Sequence, residues 1–261
     1  MESLGYIAAV FIGISLGLIG GGGSILTVPV LVYLMAVEPV LATAYSLFVV
    51  GFTSLAGTLF KLSSKNINLK AAIVFAIPSM IAVFLTRLWL LPNIPENIPF
   101  GTKCLLSRDV AIMVFFAVIM VVAALSMMFR PGSANMENGQ MKCRNIPLII
   151  VEGAVVGVLT GLVGAGGGFL IIPALVLVAK LPMKTAIGTS LVVIAIKSLV
   201  GFVGDLQSGQ PIDWNLLMLF TALAIGGVFI GNKLSHFISG QKLRQGFAWF
   251  VLIMAAYILI K

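Results

Sequence analysis

The chain has 261 residues, 60% of them hydrophobic and 9% charged, with a formal net charge of +8. Water-soluble domains carry about 25% charged residues, so this composition excludes a soluble globular protein and indicates a polytopic membrane protein. The basic excess does not point to nucleic acid, because Lys and Arg collect in the inner loops of membrane proteins and orient the chain.

The chain opens Met1-Glu2-Ser3, acidic where a cleavable signal would be basic. Stretches apolar enough to cross a bilayer, which takes about 20 residues, then follow in order. They run over residues 4–36, 41–60, 71–91, 109–129, 147–179, 184–204, 214–232 and 245–260. The expected fold is therefore all-α, with eight full hydrophobic stretches and up to ten segments. Residues 130–146 are polar and turn-rich and read as a linker between a first unit, 1–129, and a second, 147–261. Cys104 and Cys143 fall in connections one span apart, hence on opposite faces, and their spacing is not that of a metal site. His236 reads as a residue of a polar connection.

The first and fifth stretches are interrupted alike. Gly17-Leu-Ile-Gly-Gly-Gly-Gly-Ser-Ile-Leu-Thr-Val-Pro29 returns 144 positions later as Gly161-Leu-Val-Gly-Ala-Gly-Gly-Gly-Phe-Leu-Ile-Ile-Pro173. Each glycine costs a helix about 1 kcal/mol relative to alanine, so each run predicts a broken or re-entrant helix. Such breaks are tolerated in hydrocarbon only where the freed backbone is buried in protein or lines a wet cavity. At the same offset Ser46 meets Ser190, Ser54 meets Ser198 and Gly57 meets Gly201, so the two units read as homologous repeats.

Their relative orientation follows from charge. If each break reverses the chain, one face holds Lys61, Lys65, Lys70, Arg130, Lys142, Arg144, Lys180, Lys184, Lys233, Lys242 and Arg244, against Arg87, Lys103, Arg108 and Lys261 on the other. That obeys the positive-inside rule. If each stretch crosses once, the basic residues divide almost evenly. Inverted repeats are expected, with both ends of the chain outside.

The chemistry is expected at the breaks. Gly21, Gly22, Gly23 and Ser24 in one unit, and Gly166, Gly167 and Gly168 in the other, precede helix starts whose N–H groups and partial positive charge bind anions without a side chain. Lys197 lies deep inside a span, where an ammonium must face a cavity or a partner. The alternatives for it are pairing with Glu152 or reaching towards a surface. Ser190 shares its helix face, and Ser46 and Thr53 occupy the matching face of the first unit. Thr43, Ser54, Thr189 and Ser198 add hydroxyls, and Tyr45 stands opposite Thr189 in the repeat. Glu152 is the candidate coupling carboxylate, with an interfacial position as its plainer explanation. Metal and acid–base chemistry need clustered His, Asp, Glu or Cys inside the spans, and the sequence places none there, so neither an enzyme nor a cofactor is expected.

These residues carry a resemblance. Gly20-Gly-Gly-Gly-Ser with Pro29, Gly164-Ala-Gly-Gly-Gly-Phe with Pro173, Gly188-Thr-Ser190, and Ser198 with Gly201 are similar to the TauE/SafE sulfite exporter (TSUP) family over nearly the whole chain. The resemblance implies a multi-pass permease of a bacterial or archaeal inner membrane, carrying small sulfur-containing anions such as sulfite, thiosulfate or a sulfonate. The residues themselves imply a pocket for one or two negative charges near the midplane, worked by alternating access between the halves. With no nucleotide-binding motif, a proton is the expected coupling ion. A membrane potential worth about 2.3 kcal/mol per charge per 100 mV favours anion exit. An anion channel and a carrier of small carboxylates are the competing functions.

Overall fold

The computed structural model describes residues 2–21, 23–63, 67–90, 97–100, 104–107, 146–163, 167–177, 179–206 and 212–239, with isolated helical positions within 114–128 and 241–256. The stretches expected at 109–129 and 245–260 are described only at isolated positions, all of them helical, and the linker at 130–146 lies outside the described residues except for Ile146.

Helix α1 (Glu2–Ile19) stops where the glycines begin. Gly20 has φ +82°, a left-handed conformation that glycine alone adopts without strain, and its N–H still donates to Leu16 O at 2.7 Å. Helix α2 (Gly23–Tyr33) starts anew two residues after Gly21 and holds Pro29 within it. Helices α3 (Pro39–Ser63) and α4 (Leu69–Leu85) follow, and a π-helical turn, Thr86–Leu90, extends α4. Strands β1 (Asn97–Phe100) and β2 (Cys104–Ser107) form a short antiparallel hairpin. Helices α5 (Ile146–Val163), α6 (Gly168–Leu177), α7 (Met183–Leu206) and α8 (Trp214–Phe237) follow. Apart from the hairpin, every described element is helical. His236, expected in a connection, belongs instead to the last turn of α8, because Leu234 and Phe237 carry the helix past Lys233.

The element bounds repeat. Both ends of α5 stand 144 positions after those of α1, and α7 starts 144 after α3. Asn68 caps α4 by accepting from Ala71 N at 3.0 Å, and Asp213 caps α8 by accepting from Asn215 N and Leu216 N at 3.0 and 3.1 Å. A side-chain oxygen at this position satisfies one or two orphan donors of the first turn.

The packing repeats as well. α1 packs chiefly on α8, α4 on α5 and α3 on α7, and α2 reaches α6. Gly13 leaves no room for a Cβ against Ala224 O, and Gly157 none against Ser79 O and the Ala82 methyl. Gly57 lies against Leu191 and Val228, while Gly201 lies against Leu47 and Val83. Small residues of this kind let helix backbones approach in a bilayer, where close packing replaces the hydrophobic drive between helices.

These contacts also fix directions. Gly13 meets Ala224 and Gly17 meets Val228, so α1 and α8 run parallel; Gly153, Gly157 and Gly161 meet Phe75, Ser79 and Val83, so α5 and α4 do too. Gly51 faces Leu199 and Gly57 faces Leu191, so α3 and α7 are antiparallel. Gly23 lies against Ile12 and Ser15, and Gly5 against Met35, so α2 runs back along α1.

Among the described residues, four helices are long and apolar enough to cross a membrane: Leu41–Leu62, Leu69–Leu90, Met183–Leu206 and Trp214–Ser235. At 1.5 Å per residue, 22 residues reach about 33 Å, which spans a hydrocarbon core of about 30 Å. The first and third windows are 61% and 72% buried and the other two 39%, so α3 and α7 form the centre and α4 and α8 the flanks. Leu69, Ile73, Ile77, Ile81 and Leu85 recur every fourth residue along α4, and each is more than half exposed. Such an apolar stripe would be a liability in water and suits lipid. Following the helix directions, Lys61, Lys70, Lys184 and Lys233 stand at one end of the bundle, and Glu38, Asp205 and Asp213 at the other.

Candidate functional site

The two glycine runs are in contact. A Cβ on Gly21 would fall 2.5 Å from the carbonyl carbon of Gly168, and one on Gly168 would fall 2.5 Å from Gly21 Cα. Backbone therefore touches backbone where α6 starts and where the chain enters α2. Gly167 is left-handed like Gly20, with φ +63°. Side chains nearby occupy the carbonyls of the first break: Ser24 Oγ donates to Gly21 O at 2.8 Å, and Ser190 Oγ to Gly20 O at 3.2 Å and Ile187 O at 2.8 Å. The first N–H groups of a helix have no acceptor within it, so those at the starts of α2 and α6 can donate to a guest.

Lys197 stands at the centre of this arrangement. Leu47 opposes Gly201, Gly51 opposes Leu199 and Gly57 opposes Leu191, which puts the crossing of α3 and α7 at Phe52–Thr53 and Ile196–Lys197. Lys197 is 1% exposed. Its Nζ donates to Thr160 Oγ1 on α5 at 3.2 Å, and Thr160 shares its own proton with Val156 O at 2.8 Å and Gly157 O at 3.1 Å. A Cβ added to Gly167 would lie 2.7 Å from Nζ, so the ammonium abuts the start of α6. Among the described residues Thr160 is its one hydrogen-bond partner and no carboxylate pairs with it. Two of the three ammonium protons therefore have no acceptor among the described residues. The charge also faces the helix end that carries about half a positive charge. Like meets like in a buried place, and an anion bound between them would attract both.

The remaining residues divide by what their hydroxyls touch. Ser46, Ser54 and Ser198 are fully buried, and their Oγ atoms have no hydrogen-bond partner. Ser54 and Ser198, 144 positions apart, directly follow Thr53 and Lys197. Thr53 Oγ1 turns back to Val49 O at 2.6 Å and Val50 O at 3.2 Å, as hydroxyls in membrane helices commonly do. Thr189 Oγ1 accepts from Asn68 N at 3.0 Å, and Tyr45 OH accepts from Asp213 N at 2.5 Å. These two residues hold the caps of α4 and α8, so Thr189 ties α7 to α4 away from Lys197. Gly22 and Gly166 lie outside the described residues. Glu152 is half-buried, its Oε2 has no partner, and it shares a face of α5 with Thr160 two turns on, about 12 Å along the axis. It does not pair with Lys197. Sequence reasoning missed Thr160; its signal is a lone hydroxyl one turn before Gly164, in a helix whose one other polar side chain is Glu152.

A family model described as Sulfite exporter TauE/SafE matches residues 5–258. A probable membrane transporter protein of Xylella fastidiosa is 27% identical over 251 residues, covering 95% of this chain and 91% of that protein. The probable membrane transporter protein YunE of Bacillus subtilis is 27% identical over 266 residues, covering 90% and 89%. One from Methanocaldococcus jannaschii is 26% identical over 267 residues, covering 97% and 94%. No solved structure matches.

Proposed function

This chain belongs to the TauE/SafE sulfite exporter family of membrane transporters, and from that premise we propose that it carries a small sulfur-containing oxyanion bound between Lys197 and the starts of α2 and α6. The observation that carries this reading is the Lys197 ammonium, buried, held by one threonine hydroxyl and set against a helix N-terminus. An oxyanion there accepts from Nζ and from the N–H groups at Gly168 and Gly23, while Ser46, Ser54 and Ser198 supply hydroxyls for its other oxygens. The site admits one or two negative charges.

Residues 1–129 and 147–261 act as inverted repeats joined by 130–146. The antiparallel crossing of the equivalent helices α3 and α7, and the hairpin of α1 with α2, support this arrangement. Alternating access follows when one unit rocks on the other about that crossing. The lysine-rich end faces the cytoplasm of a bacterial or archaeal cell. Glu152 carries the coupling proton, since its buried oxygen lacks a partner on the face of α5 that leads to Thr160. In proteoliposomes, sulfite, thiosulfate and a sulfonate should exchange with saturation and without electrical conductance of channel size. Steady current with no saturation would replace the carrier with a channel.

A further inference from the structure

A second group of buried polar side chains sits at the lysine-rich end, separate from Lys197. Lys61, in the last turn of α3, is 5% exposed, and its Nζ donates to Ser235 Oγ on α8 at 3.0 Å. Ser235 passes its own proton to Asn232 O at 2.7 Å. Asn232 is 6% exposed, and its Oδ1 has no hydrogen-bond partner. In the antiparallel register that sets Gly57 against Leu191, Lys184 in the first turn of α7 falls within about one turn of the position opposite Lys61. Among the described residues Ser235 is the one hydrogen-bond partner of Lys61. Glu38, Asp205 and Asp213 belong to the opposite end of the bundle. Lys61 and Lys184 stand at the same end of the bundle, and among the described residues no carboxylate pairs with Lys61.

A strut between α3 and α8 needs only the Lys61–Ser235 bond. It does not need a second ammonium nearby, nor a buried amide oxygen left unpaired, which costs stability. We propose that Lys61, Lys184, Ser235 and Asn232 form a second anion site, a port on the lysine-rich side that holds a small oxyanion before it reaches, or after it leaves, the place beside Lys197. The chemistry recognised is a compact oxyanion of one or two charges. Its oxygens accept from both ammoniums, and the Asn232 amide, turned end over end, offers N–H in place of the unpaired oxygen. The port extends the transport reading, but its occupancy does not depend on Lys197.

Equilibrium binding of radiolabelled thiosulfate to purified protein tests it. The wild type should bind two anions per chain, and Lys197→Gln should leave one. Adding Lys184→Gln to Lys197→Gln should weaken that residual site at least tenfold, and Lys184→Arg should restore it. Lys184 is half-buried in a first turn, so this pair tests the site even where Lys61→Gln fails to fold. A wild-type stoichiometry below two, or residual binding indifferent to Lys184→Gln, overturns the port. Two sites persisting in Lys197→Gln, one of them lost with Lys184→Gln, would support the port while removing Lys197 from the central site.

Discussion

Replacing Lys197 by methionine separates a ligand from a strut by the sign of its effect on the empty protein. In the wild type the ammonium is buried with a single neutral partner and lies against the positive start of α6. Burying an ion costs several kcal/mol unless a counter-charge answers it, and apolar residues of similar volume are often neutral or stabilising in its place. Lys197→Met should therefore leave the melting midpoint of the anion-free protein unchanged or raised. An anion about 4 Å from Nζ gains about 4 kcal/mol at an effective dielectric of about 20, so losing the charge should weaken binding by about 100- to 1000-fold. Thermal melting in nanodiscs, with and without sulfite, reads both effects, because a bound anion raises the midpoint in proportion to its occupancy. Lys180→Met, at an exposed position, should change neither. A structural ion-pair lysine would behave oppositely, costing about 3–5 kcal/mol on removal with affinity intact. An anion-free midpoint that falls sharply, with sulfite affinity kept within threefold, would refute the assignment.

The touching glycines make Gly21→Ala and Gly168→Ala severe, since each Cβ would meet backbone rather than a movable side chain; transport should be lost in both, and wild-type flux in either would contradict the observed approach. On the α1–α8 contact, Gly13→Ala should destabilise the protein by at least 1–3 kcal/mol. Gly226→Ala, with open space around it, should be neutral or gain up to about 1 kcal/mol from helix propensity; equal effects on melting would dissolve the argument for close packing. Glu152→Gln should abolish proton-driven anion movement in proteoliposomes while leaving equilibrium binding within threefold, and full retention of pH-gradient-driven flux would remove it from coupling.

Much of this fold is legible because membrane-spanning segments are read by length and hydropathy, and glycine runs by backbone entropy. The break after Ile19, and the recurrence of its surroundings 144 positions on, needed no tertiary information. What the sequence withheld are meetings between distant helices. Thr160 and Lys197 are 37 residues apart, and nothing in either local pattern pairs them. Thr189 and Tyr45 read as free hydroxyls, but each holds the N–H of a capping residue on another helix. Lys61 reads as a solvated loop-side lysine because it ends its helix; only the packing of α8 reveals its burial. His236 was misplaced because a charged neighbour, Lys233, suggested a helix end that the apolar residues beyond it override.

The most direct measurement is a structure of the protein with selenite bound, the selenium located by its anomalous signal. The density should fall within hydrogen-bond reach of Lys197 Nζ and the backbone N–H of Gly168, beside the touching glycines. Selenium found only at the lipid-facing surface, with Lys197 still bonded to Thr160 alone at saturating anion, would contradict the central site.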